Sequence, residues 1–207
     1  MSAASLQIMI SLTCGIPALE AGICQTRAGP PPPRAVAVNE AKTTMIESGK
    51  TLVNGVEFHA ACPSVWKSSA ESETRWNVTL SFTNRGRQPL RFWLFDTLWV
   101  ELHDGNGTAL PIGGGRNRTK PGTVVSPTVA PAQSYALTRG VHLRQSAPNR
   151  FSLVGEDGFG GTWTATDLKP GKYRLILHYQ LLRNDSPESQ NCWRGETQTP
   201  PLTFEIR

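Results

Sequence analysis

Three observations in this 207-residue chain predict an all-β fold, an antiparallel β-sandwich. First, Trp76, Val78, Leu80 and Phe82 alternate with Asn77, Thr79, Ser81 and Thr83, and Tyr173, Leu175, Leu177, Tyr179 and Leu181 alternate in the same way. That period of two marks strands with one buried face. Second, 19 Gly and 16 Pro exceed what long helices tolerate and fit many short strands joined by turns. Third, no apolar stripe at helical spacing is sustained beyond the N-terminus. Six Trp, seven Phe and three Tyr supply bulky core material for one domain.

In chain order, residues 6–19 (LQIMISLTCGIPAL) form an apolar run too short to span a bilayer as a helix. Ala21 and Gly22 follow as small residues, so residues 1–24 read as a cleaved export signal, although no Lys or Arg precedes the run. The alternative is an unstructured tail. Lipidation of Cys24 is disfavoured because Ile23 stands where a small residue is needed. Residues 25–48 contain Pro30 to Pro33 and read as a stiff, extended linker, which leaves residues 49–207 for the sandwich.

Within that domain, residues 52–62 make the first strand, with Val56, Phe58, Ala60 and Cys62 on one side. Residues 76–83 and 90–95 are the next two, separated by Asn84-Arg85-Gly86 and Pro89. Leu98, Val100 and Leu102 define another, which closes in Asp104-Gly105-Asn106-Gly107, a strong hairpin signal. Residues 112–126 read as a glycine-rich, basic loop. Short strands are expected at 134–138, 141–143 and 151–154 and from Trp163 onward. Leu168-Lys169-Pro170-Gly171 then turns into the strand 173–181, and Leu202, Phe204 and Ile206 end the fold, for eight or nine strands in all.

VTLSFTNRGRQPLRF, APAQSY and LKPGKYRL together resemble immunoglobulin-like (Ig-like) sandwiches of exported bacterial proteins. The first half, with its T-N-x-G-x-x-P strand pair and D-x-x-G turn, is also similar to the bacterial intracellular proteinase inhibitor domain. The resemblance covers residues 51–207 as a pattern and implies an Ig-like topology. These are scaffold motifs and carry no inhibitory loop.

The net charge of +5 is spread over scattered Lys and Arg with no nucleic-acid module, so no nucleic-acid partner is expected. Ser48-Gly49-Lys50-Thr51 lacks the first Gly of a phosphate loop, since Thr44 stands there, and is followed by a strand pattern. His59, His103, His142 and His178 show no metal-ligand spacing, and His59, His103 and His178 fall opposite the apolar faces of their strands. There is no nucleophile elbow, and Asp104-Gly-Asn106-Gly-Thr108 lacks the downstream acid of a calcium loop. No catalytic residue, metal or cofactor is therefore assigned. Asn77, Asn106, Asn117 and Asn184 match the glycosylation pattern, which matters only in a eukaryotic secretory pathway.

By elimination, the candidate binding residues are Arg116, Asn117, Arg118 and Lys120, where glycine-exposed amides and positive charge suit an anion or an acidic partner. Trp93 and Trp99 are the candidates for stacking on a ligand. Cys62 and Cys192 either pair in an oxidising compartment or remain buried thiols. Pairing would close a loop of roughly 130 residues and contribute about 4–5 kcal/mol. The expectation is an exported, non-enzymatic Ig-like binding or structural module with a protein or cell-surface partner and no transmembrane segment in the mature chain. A proteinase-inhibitor-like or peptide-binding sandwich and a carbohydrate-binding module are the alternatives.

Overall fold

The computed structural model describes residues 44–68, 73–116, 124, 126–156, 161–182 and 189–207. The chain divides into Met1–Asn39 and Glu40–Arg207, and all described residues belong to the second unit. The segments read as export signal and most of the linker lie outside the described residues.

Among the described residues there is no α-helix, and the strands are β1 (Met45–Glu47), β2 (Thr51–Val53), β3 (Val56–Pro63), β4 (Val65–Trp66), β5 (Thr74–Asn84), β6 (Leu90–Arg91), β7 (Leu98–Asp104), β8 (Gly113–Arg116), β9 (Thr128–Val129), β10 (Ser134–Ala147), β11 (Arg150–Glu156), β12 (Gly161–Leu168), β13 (Gly171–Leu181), β14 (Gly195–Gln198) and β15 (Leu202–Ile206). A large sheet runs β1-β3-β5-β10-β11-β12-β8, with β2 added on β3. A smaller sheet is built on β13, which pairs with β7 along one side and with β15 and then β14 along the other. β4 joins β15 as the one parallel pair among the described strands, and β6 and β9 make a separate ribbon. All other pairings among the described strands are antiparallel.

The alternating sequences become the central strands of the large and the smaller sheet. β5 pairs with β10 from Ser134↔Thr83 to Leu143↔Thr74, and β5 buries Val78, Leu80 and Phe82 while leaving Thr79 and Ser81 half-buried. β13 buries Tyr173, Leu175, Tyr179 and Leu181. The two sheets share one core, where the Phe82 ring of β5 lies 5.6 Å edge-on to Tyr179 of β13, and Phe58 of β3 lies 5.4 Å from Trp193. Such aromatic pairs add to the burial of large apolar surfaces.

Three expectations are corrected. The strand expected over 90–95 ends at Arg91, and Phe92, Trp93 and Leu94 are all buried. Alternation sorts side chains to two faces only in a pleated strand. Here the segment instead crosses into the core, held by the Tyr179 hydroxyl donating to the Trp93 carbonyl (2.9 Å) and by Thr97 Oγ1 donating to the same oxygen (2.8 Å). The runs 134–138 and 141–143 form one continuous strand, β10. The start of the glycine-rich loop is itself a strand, because β8 pairs with β12 from Gly113↔Thr164 to Arg116↔Gly161.

Candidate functional site

Among the described strands, β7 pairs with β13 and β8 with β12, the hairpin return at 108–110 adds to β7 only beside Leu102–Asp104, and a groove lies between the two strands. Its volume is about 370 Å³, and Trp99, Val100, Leu102, Ile112, Gly113 and Trp163 line it. A narrow apolar cleft continues from Trp99, Val100 and Trp163 between the sheets, past Val78, Leu137 and Leu177. Arg139, on the face of β10 that also carries Leu137 and Val141, brings a guanidinium to that cleft.

Glycine at position 114 is required by this geometry. Its φ is +131°, and a Cβ there would stand 2.2 Å from the Thr162 carbonyl oxygen. Gly155 is covered by the Trp163 indole in the same way, with a Cβ-to-ring distance of 2.3 Å. Three successive glycines therefore make β8 a strand edge of nearly bare backbone.

The direction of the backbone groups on β7 follows from its hairpin. Leu110 N–H donates to the Leu102 carbonyl (2.8 Å) and Asp104 N–H to the Thr108 carbonyl (2.9 Å), so Leu102 and Asp104 turn their polar groups away from β13. Val100 has the same parity, and its N–H and C=O point to the free side, into the groove. Asp104 Oδ1 closes the hairpin by accepting from the Asn106 and Thr108 amides at 2.9 and 2.8 Å, a turn role rather than cation ligation.

On the outward face of β7 and β13, Glu101 lies between two imidazoles. His103 Nε2 is 3.2 Å from Glu101 Oε2, and His178 Nε2 is 3.4 Å from Glu101 Oε1. His103 Nδ1 lies 3.1 Å from the Gly107 carbonyl. That hydrogen bond, then the Glu101 carboxylate, holds the His103 pKa above its usual value. His178 is shifted the other way by burial, against the pull of Glu101 and Glu196. Its ring is stacked on Trp99, and its Nε2 is buried without a hydrogen bond.

Of the residues singled out from the sequence, Trp99 lines the groove. Trp93 does not, since it is 4% exposed in the core. Arg116 ends β8, where its backbone pairs with Gly161; Asn117, Arg118 and Lys120 lie outside the described residues. Cys62 and Cys192 are buried and not joined in a disulfide, so the pairing expectation is corrected. Cys62 sits on β3 in the large sheet and Cys192 beside Arg91, so the two chain ends of the domain do not bring them into a bond. Burial pushes the Cys62 thiol up to about 12. His178, which falls opposite the apolar face of its strand, is nevertheless buried, because Trp99 covers its ring. The Glu101–His178 approach was missed because it depends on the β7–β13 register, although the parity of His103 and His178, opposite the apolar faces, was already legible.

Among the described residues, no group of three His, Cys, Asp or Glu side chains is placed to hold a metal ion, and no helix is long and apolar enough to cross a membrane. Fold and groove together define an all-β, antiparallel protein of several sheets with an open slot between two sheet edges. No family model matches the chain, and no curated protein matches it. Solved structures similar to it include a Northeast Structural Genomics Consortium target, SoR45, at 15% identity over 75% of this chain and 90% of that one, with a TM-score of 0.34. A conserved hypothetical protein from Bacillus anthracis is similar at 10% identity over 61% of this chain and 99% of that one, with a TM-score of 0.26.

Proposed function

We propose that this chain is an exported, non-enzymatic Ig-like β-sandwich that binds an extended peptide segment of a protein partner in the β7–β8 groove. The observation that carries the reading is the Val100 edge, whose N–H and C=O face an apolar slot instead of any of the described strands. An added strand gains main-chain hydrogen bonds from such an edge and selectivity from the side-chain pockets beneath it. Exposed edges of this kind are ordinarily blunted by charge, proline or a bulge, and β8 offers only glycines before Arg116.

The Ig-like assignment is supported by Tyr173, whose hydroxyl donates to the Lys169 carbonyl (2.7 Å) and accepts from the Lys169 amide (2.9 Å). A tyrosine bonded back to backbone a few residues upstream is a hallmark corner of these sandwiches. Export rests on the apolar run at residues 6–19, and mass spectrometry of the mature N-terminus tests it.

The binding reading is tested by selecting peptides from a random display library on the whole protein. Enriched peptides are expected to bind at micromolar affinity and to lose at least tenfold on Val100→Pro. Proline removes the edge N–H while leaving the β13 hydrogen bonds of Trp99 and Glu101 in place. Failure to enrich any peptide, or binding indifferent to Val100→Pro in a variant that melts cooperatively, overturns it.

A further inference from the structure

We propose that His103 is a proton-operated latch, which in its imidazolium form ties the hairpin after β7 to Glu101 and thereby sets one wall of the β7–β8 groove. The inference rests on the groove reading for its consequence and on hydrogen-bond chemistry for its mechanism.

Each ring nitrogen of His103 faces an acceptor. Nδ1 meets the Gly107 carbonyl at 3.1 Å, and Nε2 meets the Glu101 carboxylate at 3.2 Å. A neutral imidazole carries one N–H and one lone pair, so it satisfies one of these acceptors and turns its lone pair on the other. Only the imidazolium donates to both. The geometry thus selects the charged ring.

The Gly107 carbonyl belongs to the turn that returns the chain to Ala109, which bridges to His103, and on to Leu110, whose amide bonds Leu102. Ala109, Leu110 and Ile112 line the groove together with Glu101 of β7. Protonated His103 therefore staples the wall to the strand. Once the proton is lost, either the turn or the carboxylate must be released.

The surrounding charges set the balance. Arg174, paired directly across β13, opposes the proton on His103. Asp104, next in the chain, is engaged by the Asn106 and Thr108 amides. His178 approaches the other oxygen of Glu101 from β13 and has Glu196 of β14 nearby. A carboxylate freed by His103 is thus left beside the buried imidazole. Because the folded His103 holds its proton more tightly than the unfolded chain, the staple is fully present below the unfolded value and is lost as pH rises through the folded one.

The test follows the His103 ring and the Leu110 amide by NMR in the whole protein. His103 is expected to titrate above 6.5, and Glu101→Gln to lower its midpoint by about one unit. The Leu110 protection factor is expected to fall about tenfold between pH 5.5 and 8.0, and to become independent of pH in His103→Gln. A His103 midpoint at or below 6.5, or unchanged protection across that range, overturns the latch. Loss of the pH dependence in His178→Gln but not in His103→Gln overturns it too, by assigning the effect to the other ring. A display-selected peptide should bind more weakly as pH rises in the wild type only. If no peptide binds at any pH, the groove reading falls, and amide protection still decides the latch.

Discussion

Trp99 and His178 lie face to face at directly opposed positions of β7 and β13, with ring centroids 3.6 Å apart and planes 8° from parallel. The indole covers one side of the imidazole and leaves His178 5% exposed. The stack explains why a histidine at an outward position is buried. It also removes one face of Trp99 from any ligand.

A pH dependence follows from that burial. Desolvation keeps the folded His178 below its ordinary value, so the neutral ring is the native form. Stability is therefore fully present above about 6.5 and declines as pH falls toward the folded value, because the unfolded chain takes up the proton first. The expected result is a His178 ring that titrates below 6.5 by NMR. The loss of stability between pH 6.5 and 5, read from urea melts, is expected to shrink in His178→Gln. A ring that titrates above 6.5 would sink this assignment.

How much of this was legible beforehand differs from strand to strand. β5 and β13 were readable because each buries one face along most of its length, so the alternation survives in the sequence. The Asp104–Gly107 turn was readable because its residues are those the hairpin chemistry demands. β8 was not, since three glycines carry no pattern and become a strand only by pairing with β12. β1 was read as the end of a linker because its pairing with β3 leaves Met45 and Glu47 exposed. In the candidate site, Trp99, expected as a stacking residue, lines the groove, whereas Trp93 was misplaced by extending a strand through a segment that turns into the core. The Glu101–His103–His178 cluster depends on register between strands some seventy residues apart, which spacing along one chain does not reveal.

The two buried cysteines give a second prediction. Cys62 is fully buried with its thiol held up at about 12, and Cys192 is raised by burial against the opposing pull of Arg91 and Arg194. Thiolate is the reactive form, so both should resist alkylation in the folded protein. Mass spectrometry is expected to find no label on either after native iodoacetamide treatment, and a label on both after denaturation without reductant. Native labelling of Cys62, or a requirement for reductant before labelling in denaturant, contradicts the buried-thiol assignment.

Asn84 shows what the T-N-x-G-x-x-P motif does in this chain. The residue is fully buried at the end of β5, and its Nδ2 donates to the Gln88 and Val129 carbonyls at 2.8 and 2.9 Å. Its Oδ1 accepts from the Gly86 amide at 2.8 Å, and Arg85 N–H bonds the Gly55 carbonyl. One side chain thus pins the β5–β6 connection to β9, which is a scaffold role and gives no reason to expect inhibition. Asn84→Ala leaves three backbone groups without their partner, the buried Val129 carbonyl among them, and should cost about 1–3 kcal/mol. Asn84→Asp at pH 7 keeps the shape but turns a carboxylate toward two carbonyls, so it should cost at least as much and recover in part on acidification. Chemical denaturation of both variants measures this, and a cost below about 0.5 kcal/mol for either would show that the amide is not what holds the connection.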